Sequence, residues 1–294
     1  MTIGGLFVPL ITPFAADGSV AVGALETLGH DVLDAGATGL LALGTTGEPA
    51  SLTPTERGEV CTVVARVSRE RRTPWIAGVH DGMVPASAEA AMHTVPAFVR
   101  PGEPGVIAWF AARAAASPIP VVVYHVPYRT AQPLSAAALL QVAALPGVTA
   151  IKYAPGALDA DAVQFLAAAA DVPDFTVLAG DDVLAAPVLA LGAAGAILAS
   201  AHLATDQYAA LVDAWTTGDR ASARRWSHRL AALSGALFAA PNPTVIKAVL
   251  HRDGRIPTAA VRLPLTAATP ESVTRATSRL HLADAADLVA APTA

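Results

Sequence analysis

Eight short apolar runs, each followed by a stretch with helical spacing, predict an α/β protein: a (β/α)8 barrel of the TIM type with a C-terminal helical extension. The runs are too apolar for a half-exposed sheet, as expected of parallel strands covered on both faces. After the eighth run only helical patterns follow. A doubly wound open sheet would favour a G-x-G-x-x-G turn after an early strand, and the sequence has none. The length of 294 residues suits a single barrel.

The first strand is LFVPLI (6–11). Its flank, MTIGGLFVPLITPF, lacks a basic n-region and contains two prolines, so it reads as a strand and loop rather than a signal peptide. ALETLGHDVLDAG supplies the first outer helix, and GLLALG (39–44) the second strand. The third and fourth runs, PWIAGVH (74–80) and MHTVPAF (92–98), are joined only by DGMVPASAEAA (81–91). That linker is roughly ten residues shorter than a full βαβ crossover requires. The third outer helix is therefore expected to be shortened or missing. Its loss should bare apolar barrel flank, which a subunit or a rearranged neighbour must cover.

IPVVVYHVP (119–127) is the fifth strand, followed by the helical SAAALLQVAAL. GVTAIK (147–152), FTVLAG (175–180) and GAILAS (195–200) complete the eight. Residues 183–205 carry no Asp, Glu, Lys or Arg and are long enough to cross a bilayer. Pro187, Gly192 and Gly195 divide them, however, and no positive cluster flanks them, so no membrane partner is expected. DQYAALVDAW, ASARRWSHRLAALSGALF and NPTVIKAVLHRD are helical. The expected division is a barrel over 1–205 and an extension over 206–294 packed on it.

The net charge of −5, with no basic face, speaks against a nucleic-acid partner. The single Cys61 excludes an intramolecular disulfide framework and fits a reducing cytoplasm, so a cytoplasmic protein is expected.

In such barrels chemistry lies at the C-terminal ends of the strands. Those ends carry Thr12, then Thr45-Thr46-Gly47-Glu48, His80, Phe98, Tyr124, His125 and Arg129, Lys152, Gly180-Asp181-Asp182, and Ser200 with His202. Of nineteen basic residues only Lys152 and Lys247 are lysines. Arginine stays protonated and cannot form an imine, whereas a desolvated lysine can lose its proton and attack a ketone. Alone, a strand-end lysine reads equally well as one reaching to solvent. Tyr124 is a candidate proton shuttle through the Thr45 hydroxyl, against an ordinary strand tyrosine. The small residues and hydroxyls of GTTGE suit a carboxylate, and Arg129 offers a bidentate clamp for a second one.

GTTGE, YHVPYRT, AIKYAPG, LAGDD and GAAGAILAS occur in this order, and with them the chain resembles the dihydrodipicolinate synthase and N-acetylneuraminate lyase family. The likeness runs from residue 6 to residue 250. It implies a class I aldolase-type lyase on a (β/α)8 barrel, acting on pyruvate or a related 2-oxo acid and an aldehyde, and forming a homodimer or homotetramer. It implies a covalent imine on Lys152 with no cofactor and no metal. Tyr124 would shuttle protons with Thr45 as relay, while Thr46 and Gly47 would help hold the oxo-acid carboxylate. Gly180 and Ile197 would line the pocket, and Arg129 would take the semialdehyde's carboxylate, which favours dihydrodipicolinate synthase.

Two side chains depart from that branch. Pro96-Ala97-Phe98 replaces the usual Pro-Tyr-Tyr, whose second tyrosine reaches the adjacent subunit's site, and Phe98 carries no transferable proton. His125 replaces the usual asparagine, and with His80 and His202 it is expected at the rim, tuning substrate choice. A catabolic sugar-acid or aryl-aldehyde aldolase or dehydratase is the alternative, favoured if Phe98 and His125 border an apolar pocket. A non-catalytic barrel that binds a 2-oxo acid is the alternative of another class.

Overall fold

The computed structural model describes residues 3–80, 82 and 84–285. The barrel strands are β1 (Gly5–Pro9), β2 (Gly39–Ala42), β3 (Trp75–Gly78), β4 (Ala90–Thr94), β5 (Val121–His125), β6 (Val148–Tyr153), β7 (Thr176–Ala179) and β8 (Gly195–Ile197). All are parallel and close in sequence order, with β8 beside β1. The helices are α1 (Val22–Asp34), α2 (Pro54–Arg71), α3 (Gly102–Ala116), α4 (Pro127–Thr130), α5 (Ala136–Ala143) and α6 (Ala160–Ala169). There follow α7 (Ala185–Ala190), α8 (Thr205–Thr217), α9 (Arg220–Leu237), α10 (Thr244–Arg252) and α11 (Pro270–Ala285). The closed eight-stranded barrel agrees with the architecture expected from the apolar runs.

Period-two alternation sorts the strand residues into two layers. Phe7, Leu41, Ile76, Met92, Val122, Ala150, Leu178 and Ile197 fill the barrel interior. Their neighbours, such as Val121, Val123 and Ile151, face outward into the larger core beneath the helices. Tyr124 follows Val122 on the inner face, and Lys152 follows Ala150 on it. The 183–205 stretch is divided as its prolines and glycines suggest, into α7, β8 and a 3-10 turn. Among the described residues no helix is long and apolar enough to cross a membrane. α8 follows β8, lies beside α7 and packs on β1, in the place of the eighth outer helix of the barrel, and α9, α10 and α11 follow it.

No helix occurs among the described residues between β3 and β4, so the third outer helix is missing. The linker closes directly against the strands: Glu89 N–H donates to Trp75 O, and the Trp75 indole donates to Ser87 O at 2.8 Å. It leaves a groove of about 820 Å³ along α2, lined by Arg66, Arg69, Arg72, Ser87 and Glu89 among others. The apolar face of α2 (Val60, Val63, Val64, Val67) is buried on the barrel, while the open groove sets arginines beside Cys61, Ala65, Pro74, Trp75 and Pro85 and so is partly apolar, as expected.

The C-terminal segment is tied back to the barrel mouth through Arg262. Its guanidinium pairs with both carboxylate oxygens of Glu56, donates to Ser51 O and Gly18 O, and lies 4.4 Å from the Phe14 ring centroid. Glu56 also completes the capping box of α2 with Thr53. The Arg262 hydrogen bonds hold the Glu56 carboxyl down at about 2 from its usual 4.5. A depressed carboxyl stabilises the fold above its unfolded value and loses that contribution as pH falls through the folded one. Glu56→Gln is therefore expected to flatten the acid limb of stability between pH 4.5 and 2. Urea midpoints measured across that window for both proteins test this; parallel acid limbs would contradict it.

Candidate active site

The inner-face strand ends of β5 and β6 meet directly, because Tyr124 and Lys152 are register partners. Lys152 is 4 % exposed, and its Nζ lies 4.4 Å from the Tyr124 ring centroid. Burial lowers the Lys152 pKa from 10.5 to about 8; the Asp182 charge opposes that shift and Arg129 reinforces it. Its path to the mouth depends on Gly180, where an added Cβ would lie 2.6 Å from Lys152 Cγ and 3.1 Å from Cε. Any side chain there would press the amine out of line. Ile197, wholly buried, belongs to the interior layer beneath.

Burial raises the Tyr124 phenol above 10, and interaction with the Thr45 hydroxyl offsets part of the rise. Thr45 also borders a cavity of about 260 Å³ at the mouth, together with His80, Arg129, Asn242, Arg262 and Leu263. Arg129 stands on α4, its Nε donating to Tyr128 Oη at 3.0 Å. The fold thus brings together Lys152, Tyr124, Thr45, Gly180, Ile197 and Arg129. The larger groove beside α2 holds none of these residues, so size does not mark the site.

Three expected site residues fall elsewhere. His125 is one residue past Tyr124 and so points out of the barrel, stacked on Tyr153 with centroids 5.7 Å apart. Its ring packs on Tyr153 in the layer beneath the helices, and burial lowers its pKa to about 4. Phe98 is 94 % exposed on a turn of positive φ (67°), outside the lining of the mouth cavity of its own chain. Gly47 shapes its loop instead of offering an N–H, because that N–H is engaged by Gly44 O at 2.8 Å. Its carbonyl accepts from the Thr12 hydroxyl at 2.7 Å.

The expected rim of imidazoles also dissolves. His202 is wholly buried, with Nε2 accepting from Ile11 N–H at 3.1 Å and Nδ1 against Ala199 O at 2.8 Å. The first contact makes Nε2 the acceptor, so Nδ1 carries the proton and the ring is neutral. Burial accordingly depresses its pKa to about 4. Only His80 lies at the mouth, against Leu43 O at 2.7 Å. Among the described residues the one convergence of possible metal-binding atoms is Glu26, His30 and Glu70, away from this site.

The sequence placed Asp182 and Glu48 at strand ends and marked Lys247 as a rare lysine without giving any of them a role, and it gave no sign of Asn242. Asp182 is buried near Lys152, accepts Ser200 N–H at 2.6 Å, and is pushed up to about 6 by desolvation. Lys247 is wholly buried, donating to Glu48 Oε1 at 2.7 Å and Thr12 O at 2.9 Å. Glu48 Oε2 accepts Arg262 N–H at 2.8 Å. These contacts hold Glu48 in a left-handed conformation (φ 54°) that non-glycine residues seldom adopt. Asn242 Nδ2 donates to Thr46 Oγ1 at 2.9 Å. The loop at the end of β2 is thus gripped from α10 and the turn before it.

A model of the dihydrodipicolinate synthetase family matches residues 2–282 of the chain. The chain belongs to that family. A 4-hydroxy-tetrahydrodipicolinate synthase of Moorella thermoacetica is 35% identical over 283 residues, which cover 92% of this chain and 95% of the relative. Among solved structures, a dihydrodipicolinate synthase of Bacillus anthracis shares 29% identity with a TM-score of 0.86, covering 96% of this chain and 99% of its own. The Acinetobacter baumannii dihydrodipicolinate synthase, solved with pyruvate, has a TM-score of 0.88 at 29% identity, with the same coverage. As a member of the dihydrodipicolinate synthetase family, the chain is an enzyme of the aldolase-type lyase class.

Proposed function

We propose that the chain is a 4-hydroxy-tetrahydrodipicolinate synthase, condensing pyruvate with a carboxylated semialdehyde through an imine on Lys152. The observation that carries this reading is a desolvated inner-face lysine, pKa about 8, at the barrel mouth beside Tyr124. At neutral pH a fraction of the amine is free to attack the 2-oxo carbon. Water leaves the carbinolamine, and the protonated imine draws electrons from the methyl carbon, which gives up a proton. The resulting enamine attacks the aldehyde, and hydrolysis frees Lys152. Tyr124 and Thr45 carry the protons of these steps. Thr46 holds the oxo-acid carboxylate. No metal or cofactor is called for, because the imine itself is the electron sink.

Arg129, at the mouth with Thr45, receives the aldehyde's carboxylate. Phe98 and His125 lie outside the lining of the mouth cavity of their own chain, so the aryl-aldehyde alternative gains no support from them. Phe98 and Val99, 94 % and 75 % exposed, instead present an apolar tip suited to a neighbouring subunit, in a homodimer or homotetramer.

Kinetics with pyruvate and a panel of charged and uncharged aldehydes test the substrate assignment. The wild type is expected to prefer the carboxylated aldehyde. Arg129→Ala should raise that aldehyde's KM roughly ten- to a hundredfold while sparing the KM of pyruvate. A preference for an uncharged aromatic aldehyde would contradict the assignment.

A further inference from the structure

Thr46 is 2 % exposed, and its hydroxyl has one proton to direct. Asn242 Nδ2 donates to Thr46 Oγ1 at 2.9 Å, so one lone pair of that oxygen is already engaged. Among the described residues the Thr46 hydroxyl donates to no protein acceptor. Asn242 sits on an anchored stretch of chain, and its buried Oδ1 meets no hydrogen-bond partner among the described residues. The residue is 8 % exposed, and it leads into α10, which Lys247 anchors to Thr12 O and Glu48. Asn242 also lines the mouth cavity with Thr45 and Arg129, which places it on the substrate side of the loop.

A hydroxyl that accepts from an amide must turn its own proton another way. We propose that Asn242 is a positioning residue: its amide N–H fixes the Thr46 hydroxyl so that the proton points at the carboxylate of the 2-oxo acid. This rests on the functional reading above, in which Thr46 holds that carboxylate. The C-terminal segment then does more than cover the barrel, since it sets the hydrogen-bond polarity of the donor site. The opposite amide orientation would draw the Thr46 proton away and turn lone pairs toward an anion. An aspartate at 242 imposes that reversed polarity permanently, because an ionised carboxylate can only accept.

The readout is the pyruvate concentration that gives half-maximal borohydride labelling of Lys152, with the aldehyde KM and thermal midpoint measured alongside. Asn242→Ala should raise that concentration about tenfold with the aldehyde KM little changed, and Asn242→Asp about a hundredfold, its charge also raising the aldehyde KM because residue 242 shares the mouth cavity with Arg129. Thr46→Val should resemble Asn242→Ala, and the double variant Asn242→Ala/Thr46→Val should be no worse than Thr46→Val alone. The further loss caused by aspartate should shrink when Thr46 is valine. A packing role makes the opposite ordering, because aspartate is nearly isosteric with asparagine and alanine leaves a void. Alanine hurting more than aspartate, or additive losses in the double variant, overturns the proposal. Labelled wild type with both Asn242 variants unchanged overturns it alone. A wild type that takes no pyruvate label overturns the functional reading together with it.

Discussion

Lys152→Met is expected to remove turnover by about 10³-fold or more while leaving the protein as stable as before or more so. The two effects share one cause. The amine is buried at 4 % exposure, and desolvation lowers its pKa to about 8, so its protonated form is held at a cost to the fold. Methionine has a similar length, no charge and no need for a partner. The expected gain is on the order of 1–3 kcal/mol, the scale of the pKa shift it abolishes. Urea unfolding and steady-state kinetics on the same preparation decide this. A variant that is inactive because it is markedly less stable would contradict the reading of Lys152 as a strained reactive group.

Lys247→Met should behave in the opposite way, although burial lowers the Lys247 pKa to about 8 as well, because here the substitution strands a bonded partner. Lys247 is the chain's only other lysine and is also buried, but its Nζ is matched by Glu48 and the Thr12 carbonyl and lies 4.0 Å from the Phe14 ring centroid. Removing it leaves Glu48 at 2 % side-chain exposure with the Arg262 N–H and the more distant Arg262 guanidinium charge. Breaking a buried pair in this way typically costs about 3–5 kcal/mol, because the remaining charge loses its hydrogen-bonded counterion. In a chain of this size that corresponds to a fall in thermal midpoint of roughly 10 °C. Lys247→Met/Glu48→Gln should recover much of the loss, since the stranded charge is then gone. A double variant as unstable as the single one would show that the ion pair is not the source. Two buried lysines thus divide the work, one reactive and one holding the loop that faces it.

Much of the barrel was legible because its signals are local. The apolar runs give the strands, and strict alternation puts Tyr124 and Lys152 on one face once Val122 and Ala150 are recognised as interior. The same alternation turns His125 outward, and that signal was present in the sequence: adjacent strand residues cannot both face the pocket. The absent outer helix followed from counting residues between β3 and β4. Gly47 misled because its small size is visible in sequence, whereas the turn that engages its N–H is not. The grip of the C-terminal segment was hidden by distance along the chain. Asn242 and Lys247 lie 196 and 199 residues beyond Thr46 and Glu48. The rarity of lysine in the chain was the one sequence clue to Lys247.

The most direct test of the central claim is the mass of the intact protein after incubation with pyruvate and borohydride, followed from pH 6 to pH 10. Reduction should fix one pyruvate on Lys152, with no gain in Lys152→Met. The labelling rate should climb with pH and level off near pH 8, because burial lowers the amine from 10.5 to about 8 and the free amine is the reactive form. No added mass, added mass that survives Lys152→Met, or a rate still climbing past pH 10 as for an ordinary surface lysine would contradict it.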